Sequence, residues 1–176
     1  WCELGDAITA AGRDQTTHVV ILRAEGRGFN AGVDIKEMQK TEGFTALIDA
    51  KSGEARTRAL SYFRRAGAYL QQQDYDKAIS DFGEGLALDA GNAAGHYGRA
   101  IAYEAKKDTD RAIVDYDSAI EINPRNVKAL SNRAAIYADM RAYERAVEDN
   151  NRVIELEPDE ASGYVARGLT YARRGD

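Results

Sequence analysis

Glycines beside a helix start expose the backbone N–H groups that a phosphate or an oxyanion needs. One stretch of the chain has that pattern. The apolar run HVVIL (18–22) leads into AEGRGFNAGVDIKEM (24–38), with Gly26, Gly28 and Gly32 in the loop. Their spacing is G-x-G-x-x-x-G rather than G-x-G-x-x-G, and no second strand with a ribose-binding acid follows at about 20 residues. Val33 and Asp34 stand where a phosphate loop needs a lysine and a hydroxyl residue, so neither nucleotide cradle fits. The other reactive residue types are sparse. Cys2 is the single cysteine, which excludes a disulfide or a cysteine-based zinc site within one chain. His18 and His96 are too few and too far apart for a histidine-rich metal site, and both are read as structural. Carboxylate pairs such as Glu155 and Glu157 lie on charged helix faces with no histidine or nucleophile nearby, and are read as solvated. No catalytic residue, metal or cofactor is assigned.

The loop needs flanking elements to position it. ELGDAITAAG (3–12) has the spacing of an amphipathic helix, with Leu4, Ala7, Ile8 and Ala11 on one side. Val19 to Leu22 reads as a short apolar strand. Helical periodicity resumes after the loop with Ile35 and Met38, breaks near Gly43, and returns with Phe44, Leu47 and Ile48. The expectation for 1–50 is a small, incomplete α/β fragment. The strand's edges and faces are left bare, so it must dock on the first of the later helices, pair with another chain in self-association, or stay loosely held. Residues 51–58 are expected to form the junction, with a helix around Phe44 to Ala50 capping the next element.

Beyond the junction the chain repeats itself every 34 residues. Tyr69, Tyr103, Tyr137 and Tyr171 fall in register, as do Arg65, Arg99, Arg133 and Arg167. Ala66, Ala100 and Ala134 align with Gly168, and Ala78 aligns with Ala112 and Ala146. Copies span 59–92, 93–126, 127–160 and, in part, 161–176. Each full copy holds two amphipathic stretches, in copy two Ala93 to Lys106 and Asp110 to Ile122, joined by KDTD. So short a connection makes the helices antiparallel neighbours. Asp74 and Asp108 are expected to cap the second helices. Ala142 takes that place in copy three and weakens its start by roughly 1 kcal/mol. The aligned alanines let helices approach closely, while the tyrosines, with Tyr62, Leu130 and Tyr164, fill the wider gaps. Periodic Arg65, Arg99, Arg133 and Arg167, with Asp81, Asp115 and Asp149, suggest a ladder of ion pairs that fixes helix register; the alternative is a solvated charge with its stem lying on apolar surface. Copy one has Ala90 where Pro124 and Pro158 close the others, and copy three has Asn150 where Phe82 and Tyr116 stand.

Bulk properties agree with a foldable, soluble chain. Of 176 residues, 44% are hydrophobic and 30% charged, with a net charge of −5. No basic surplus argues for nucleic acid, and no apolar run is long enough to span a membrane. The expected location is cytoplasmic. The chain starts at Trp1 and stops inside the repeat pattern, and is expected to be a piece of a longer protein.

A 34-residue helix pair that stacks on its neighbours resembles the tetratricopeptide repeat (TPR) family over residues 59–176. The fold class expected is therefore mainly all-α: a helix-turn-helix solenoid of three full repeats and the first helix of a fourth, preceded by the incomplete α/β fragment. The resemblance implies a scaffold that binds a peptide or partner protein on its concave side. Phe63, Leu70, Tyr97, Ile101, Lys128, Asn132 and Val165 are the groove positions projected for this chain. Relatives that clamp a C-terminal carboxylate use several basic and amide residues there, of which only Lys128 and Asn132 have counterparts. A short apolar or mixed peptide is the expected partner.

VVILRAEGRGFNAGVDIKEM (19–38), in turn, resembles the opening of the crotonase (enoyl-CoA hydratase/isomerase) superfamily, with weaker likeness from Trp1 to about Ala50. The resemblance implies that the Val33 backbone N–H is one of two oxyanion donors and that the Ala31 carbonyl lies near a CoA adenine. The second donor and the catalytic carboxylates belong to later segments of that fold, where this chain has its repeats instead. The expectation is a chimera of a truncated crotonase start and an interaction array, without catalysis. Acyl-CoA binding or hydratase/isomerase-type activity is the alternative.

Overall fold

In a computed structural model, residues 42–175 are described, with side chains from residue 53. The N-terminal helix, the strand 19–22 and the loop with Ala31 and Val33 lie outside the described residues. Two compact units divide the chain, Trp1–Glu54 and Ala55–Asp176. The described elements are α1 (Glu42–Gln71), α2 (Tyr75–Leu88), α3 (Ala93–Ala105), α4 (Thr109–Ile122), α5 (Val127–Asp139), α6 (Tyr143–Leu156) and α7 (Ala161–Arg174). α1 runs for 30 residues without a break, through 51–58. Gly53 is the only residue of that stretch that disfavours helix strongly, and a lone glycine costs about 1 kcal/mol.

Most boundaries of the repeats have a chemical cause. Asp74 and Asp108 accept hydrogen bonds from the N–H of Lys77 and Arg111 and so cap α2 and α4. Asn92 and Asn126 cap α3 and α5 through the N–H of Gly95 and Ala129, two caps the sequence reading left out. Ala142 gives α6 no side-chain cap, as expected. At the turn inside each copy, Gln73, Lys107 and Arg141 adopt φ of 60°, 60° and 62°, and Gly175 follows in the same register at 95°. The residue after each of the first three donates its N–H back to the aligned tyrosine's carbonyl, 2.9, 2.9 and 2.8 Å from Tyr69, Tyr103 and Tyr137. That is a Schellman closure, repeated three times.

The seam between paired helices is alanine, as the register predicts. Ala66, Ala78, Ala100, Ala112 and Ala146 are completely buried and Ala134 nearly so. Leu130 is fully buried in the central cluster with Tyr116, Ile120 and Val153, whereas Tyr164 of the last helix stands 46% exposed.

The ion-pair ladder is present. Arg65 holds Asp81 with two hydrogen bonds at 2.5 and 2.7 Å, Arg99 holds Asp115 at 2.7 and 2.8 Å, and Arg133 holds Asp149 at 2.9 and 2.6 Å. All three carboxylates are buried, and the guanidinium side chain becomes steadily less exposed along the array, from 58% to 25% to 15%. Arg133 also reaches Asp117 at 2.6 Å, and Arg167 reaches Asn151 at 2.6 Å. These last two contacts tie a second helix to the next copy's first helix.

His96 explains how copy one closes without its proline. Its two ring nitrogens lie 3.1 Å from the Asp115 carboxylate and 3.1 Å from the Ala90 carbonyl. The turn that Pro124 and Pro158 stiffen elsewhere is here tied to the ladder by a side chain.

Candidate functional site

Four side chains from three helices make one polar-aromatic cluster. Tyr97 and Glu104 on α3 lie 7 residues apart and share a helix face, with Ile101 between them. Tyr116 on α4 is fully buried, and its ring meets that of Tyr97 at 5.9 Å between centroids. The Tyr116 hydroxyl donates to Glu104 Oε2 at 2.6 Å and accepts from Asn132 Nδ2 at 3.0 Å. Burial and the Glu104 carboxylate push this phenol well above its ordinary value, with Asn132 opposing, so it stays a donor. Burial raises Tyr97 as well, again against Asn132.

The structure thus joins Tyr97 and Asn132, two of the projected groove positions. Ile101 is half-buried on the same face of α3. Lys128 lies one helical turn before Asn132, is exposed, and pairs with no described acid. Val165 is 58% exposed on α7. Phe63 is not joined to them. Its ring packs on Phe82, 6.4 Å between centroids, and covers the backbone of Gly85 and Gly95, where an added Cβ would collide with it. Leu70 packs beside it on the Ala66, Ala78 and Phe82 cluster.

Between α5 and α7, over α6, lies a cavity of about 140 Å³ that the sequence reading missed. Ser131, Ala135, Ala138, Asn150, Leu169 and Arg173 are among its lining residues. Asn150 is buried at its base and donates to Thr170 Oγ1 at 3.3 Å, and Thr170 donates to the Ala166 carbonyl at 2.8 Å. Leu169 is 60% exposed. Arg173 pairs with the exposed Asp139 at 2.6 Å. The signal for this cavity lies in the alignment of the copies. Asn150 is visible there as a departure, but only together with the residue it faces does it mark an open space.

The sequence matches the Tetratricopeptide repeat family at residues 59–92, 93–126 and 115–148. The chain belongs to this family. Among solved structures, the first TPR of Spaghetti (RPAP3) bound to the HSP90 peptide SRMEEVD superposes with a TM-score of 0.65 at 28% identity. That match covers 69% of this chain and 96% of the other. The first TPR domain of human RPAP3 gives 0.62 at 29%, covering 67% and 93%. MamA protein gives 0.65 at 20% over 81% and 78%, a likeness of fold alone.

The N-terminal segment is similar to different proteins. It is 76% identical over 53 residues to the (7aS)-7a-methyl-1,5-dioxo-2,3,5,6,7,7a-hexahydro-1H-indene-carboxyl-CoA hydrolase of Mycobacterium tuberculosis (strain ATCC 25618 / H37Rv). To the Rhodococcus jostii (strain RHA1) enzyme of the same name it is 66% identical over 62 residues. The matches take in 30% and 35% of this chain but only 22% and 24% of those relatives, so the chain spans about a quarter of their length or less. The crotonase-like character of the N-terminal segment and the TPR character of the rest stand on separate relatives.

No helix among the described residues is long and apolar enough to cross a membrane.

Proposed function

We propose that the TPR array is a non-catalytic protein-interaction scaffold that receives a peptide along the concave side formed by its first helices. Tyr97, Ile101, Lys128, Asn132 and Val165 supply the contacts, with Phe63 and Leu70 supporting them from the packing beneath. The observation that carries this reading is the cluster around Tyr116. A half-buried Tyr97 and Ile101 stand beside an Asn132 already oriented by a buried phenol and a Lys128 without a described acidic partner. A preformed face of this kind lowers the ordering cost of binding. The similarity to a TPR bound to an HSP90 peptide supports the same reading. Among the projected groove positions only Lys128 and Asn132 suit a terminal carboxylate, so the preferred partner is an apolar or mixed peptide, not one held chiefly by its C-terminus.

The test is calorimetry with a heptapeptide selected from a displayed random library, beside SRMEEVD as the reference. The selected peptide binds one to one, and Ile101→Glu or Lys128→Ala weakens it about tenfold or more. A selected peptide that binds both variants as well as the parent chain contradicts the reading.

The N-terminal similarity carries a second reading, acyl-CoA binding through the backbone of Ala31 and Val33. One oxyanion donor without its partner supports binding but not turnover. Titration with acetyl-CoA decides it: saturable binding that truncation of residues 1–41 abolishes supports the site, and heat no greater than dilution removes it.

A further inference from the structure

The three places where a second helix meets the next copy's first helix are built on one plan. Residues 16 apart face each other there: Phe82 with Gly98, Tyr116 with Asn132, and Asn150 with Ala166. At the first, the Phe82 ring lies so close to the Gly98 backbone that no Cβ fits. At the second, the Tyr116 ring fills the space and bonds to Asn132 and Glu104. At the third, both facing residues are small. The position of Glu104 is taken there by Ala138, and that of Ile101 by Ala135. Ala135, Ala138, Asn150 and Ala166 all line the cavity of about 140 Å³. The cavity therefore occupies the place of an aromatic ring that the two preceding copies supply for themselves. Its volume is of the size that holds a benzene-sized ring.

We infer that this slot between α5 and α7 takes an aromatic side chain, tyrosine or phenylalanine, from a bound peptide, and that an acidic residue beside that ring meets Arg173. The inference rests on the groove reading above and names the chemistry its partner presents. Two observations fix the occupant. The chain's own rings at the equivalent places, Phe82 and Tyr116, define the shape, and Ser131, Asn150 and Thr170 put polar groups into its lining. Charge fixes the neighbour. Arg173 lines the slot and, among the described residues, pairs with Asp139, whose side chain is 74% exposed. A solvated pair of that kind contributes little, so a peptide carboxylate displaces Asp139 at small cost. Leu169, exposed at the mouth, closes over the ring.

The experiment is a methyl NMR titration of the full chain with acetyl-glutamyl-tyrosyl-glutamyl amide and with the same peptide carrying alanine for tyrosine. Saturable shifts are expected at Ala135, Ala138, Ala166 and Leu169, with the alanine peptide at least tenfold weaker. Asn150→Tyr, which supplies the ring from within, abolishes the shifts. Ala135→Leu, placed at an exposed position of the lining, does the same should the first variant fail to fold. Arg173→Gln weakens the tyrosine peptide severalfold. Shifts confined to Ile101 and its neighbours overturn the slot while leaving the groove reading standing. Binding that ignores the tyrosine, or that survives Asn150→Tyr, overturns the slot as well.

Discussion

The junction between copies two and three and the junction between copies three and four share a backbone plan but not an interior. In the first, Tyr116 is fully buried with both polar neighbours satisfied, and α3, α4 and α5 are locked by one ring. In the second, Asn150 bonds to Thr170 alone among the described residues, and about 140 Å³ stays open beside it. The first junction uses its aromatic for stability. The second leaves the same place for something else. A repeat protein is close to a sum of local terms and nearest-neighbour interfaces, so one interface can be left underfilled while the others hold the array.

The sharpest way to break this contrast is to make copy two resemble copy three. Tyr116→Asn removes a completely buried ring and strands Asn132, and is expected to cost about 3 kcal/mol or more in urea unfolding. A loss below about 1 kcal/mol would mean that the ring is not what separates the junctions.

The ladder offers the next test. The Arg133–Asp149 pair is more enclosed than the Arg65–Asp81 pair, with arginine exposures of 15% and 58%. Double-mutant cycles should give about 2 kcal/mol of coupling at the enclosed pair and clearly less at the exposed one. Equal coupling would sink the claim that the array tightens along its length.

The reverse exchange is milder. Asn150→Tyr fills the cavity and should stabilise the array by about 1 kcal/mol, read as a raised urea midpoint with an unchanged slope. Ala142→Asp gives α6 the cap that α2 and α4 have, and should add about 0.5–1 kcal/mol.

Acid separates the copies without any substitution. Hydrogen bonds from Lys77 and Arg111 hold the Asp74 and Asp108 carboxyls below their ordinary value of 3.8. Their contribution is present above that value and is lost as pH falls through the lowered ones. Amide exchange should show the first turns of α2 and α4 opening in that window. The first turn of α6, which has no such carboxyl, should not change with them.

Much of the fold is legible in the chain because a repeat shows its own alignment. The 34-residue register places the helices, the alanine seam, the caps at Asp74 and Asp108, the missing cap at Ala142 and the arginine–aspartate ladder. Most of those features recur at matching positions of successive copies, and the missing cap shows as a break in that pattern. The site is less legible because it depends on what faces what across copies. Phe63 aligns with Tyr97 and packs on Phe82 as Tyr97 packs on Tyr116, but the glycines Gly85 and Gly95 that its ring covers are seen only once the helices are placed. Asn150 stands out as a departure, but its meaning requires Ala166 opposite it, 16 residues later. His96 reads as structural from its isolation alone. Its tie to Ala90 and Asp115 depends on a turn that only the fold brings near.

The central claim is that the slot between α5 and α7 is shaped for a ring the chain does not supply. The most direct test is titration of the full chain with 4-methylphenol, the tyrosine side chain alone, followed at the methyl groups of Ala138 and Leu169. Saturable shifts in the parent chain that vanish in Asn150→Tyr are the predicted result. Identical responses in the two chains, or no saturation at those methyls, would contradict it.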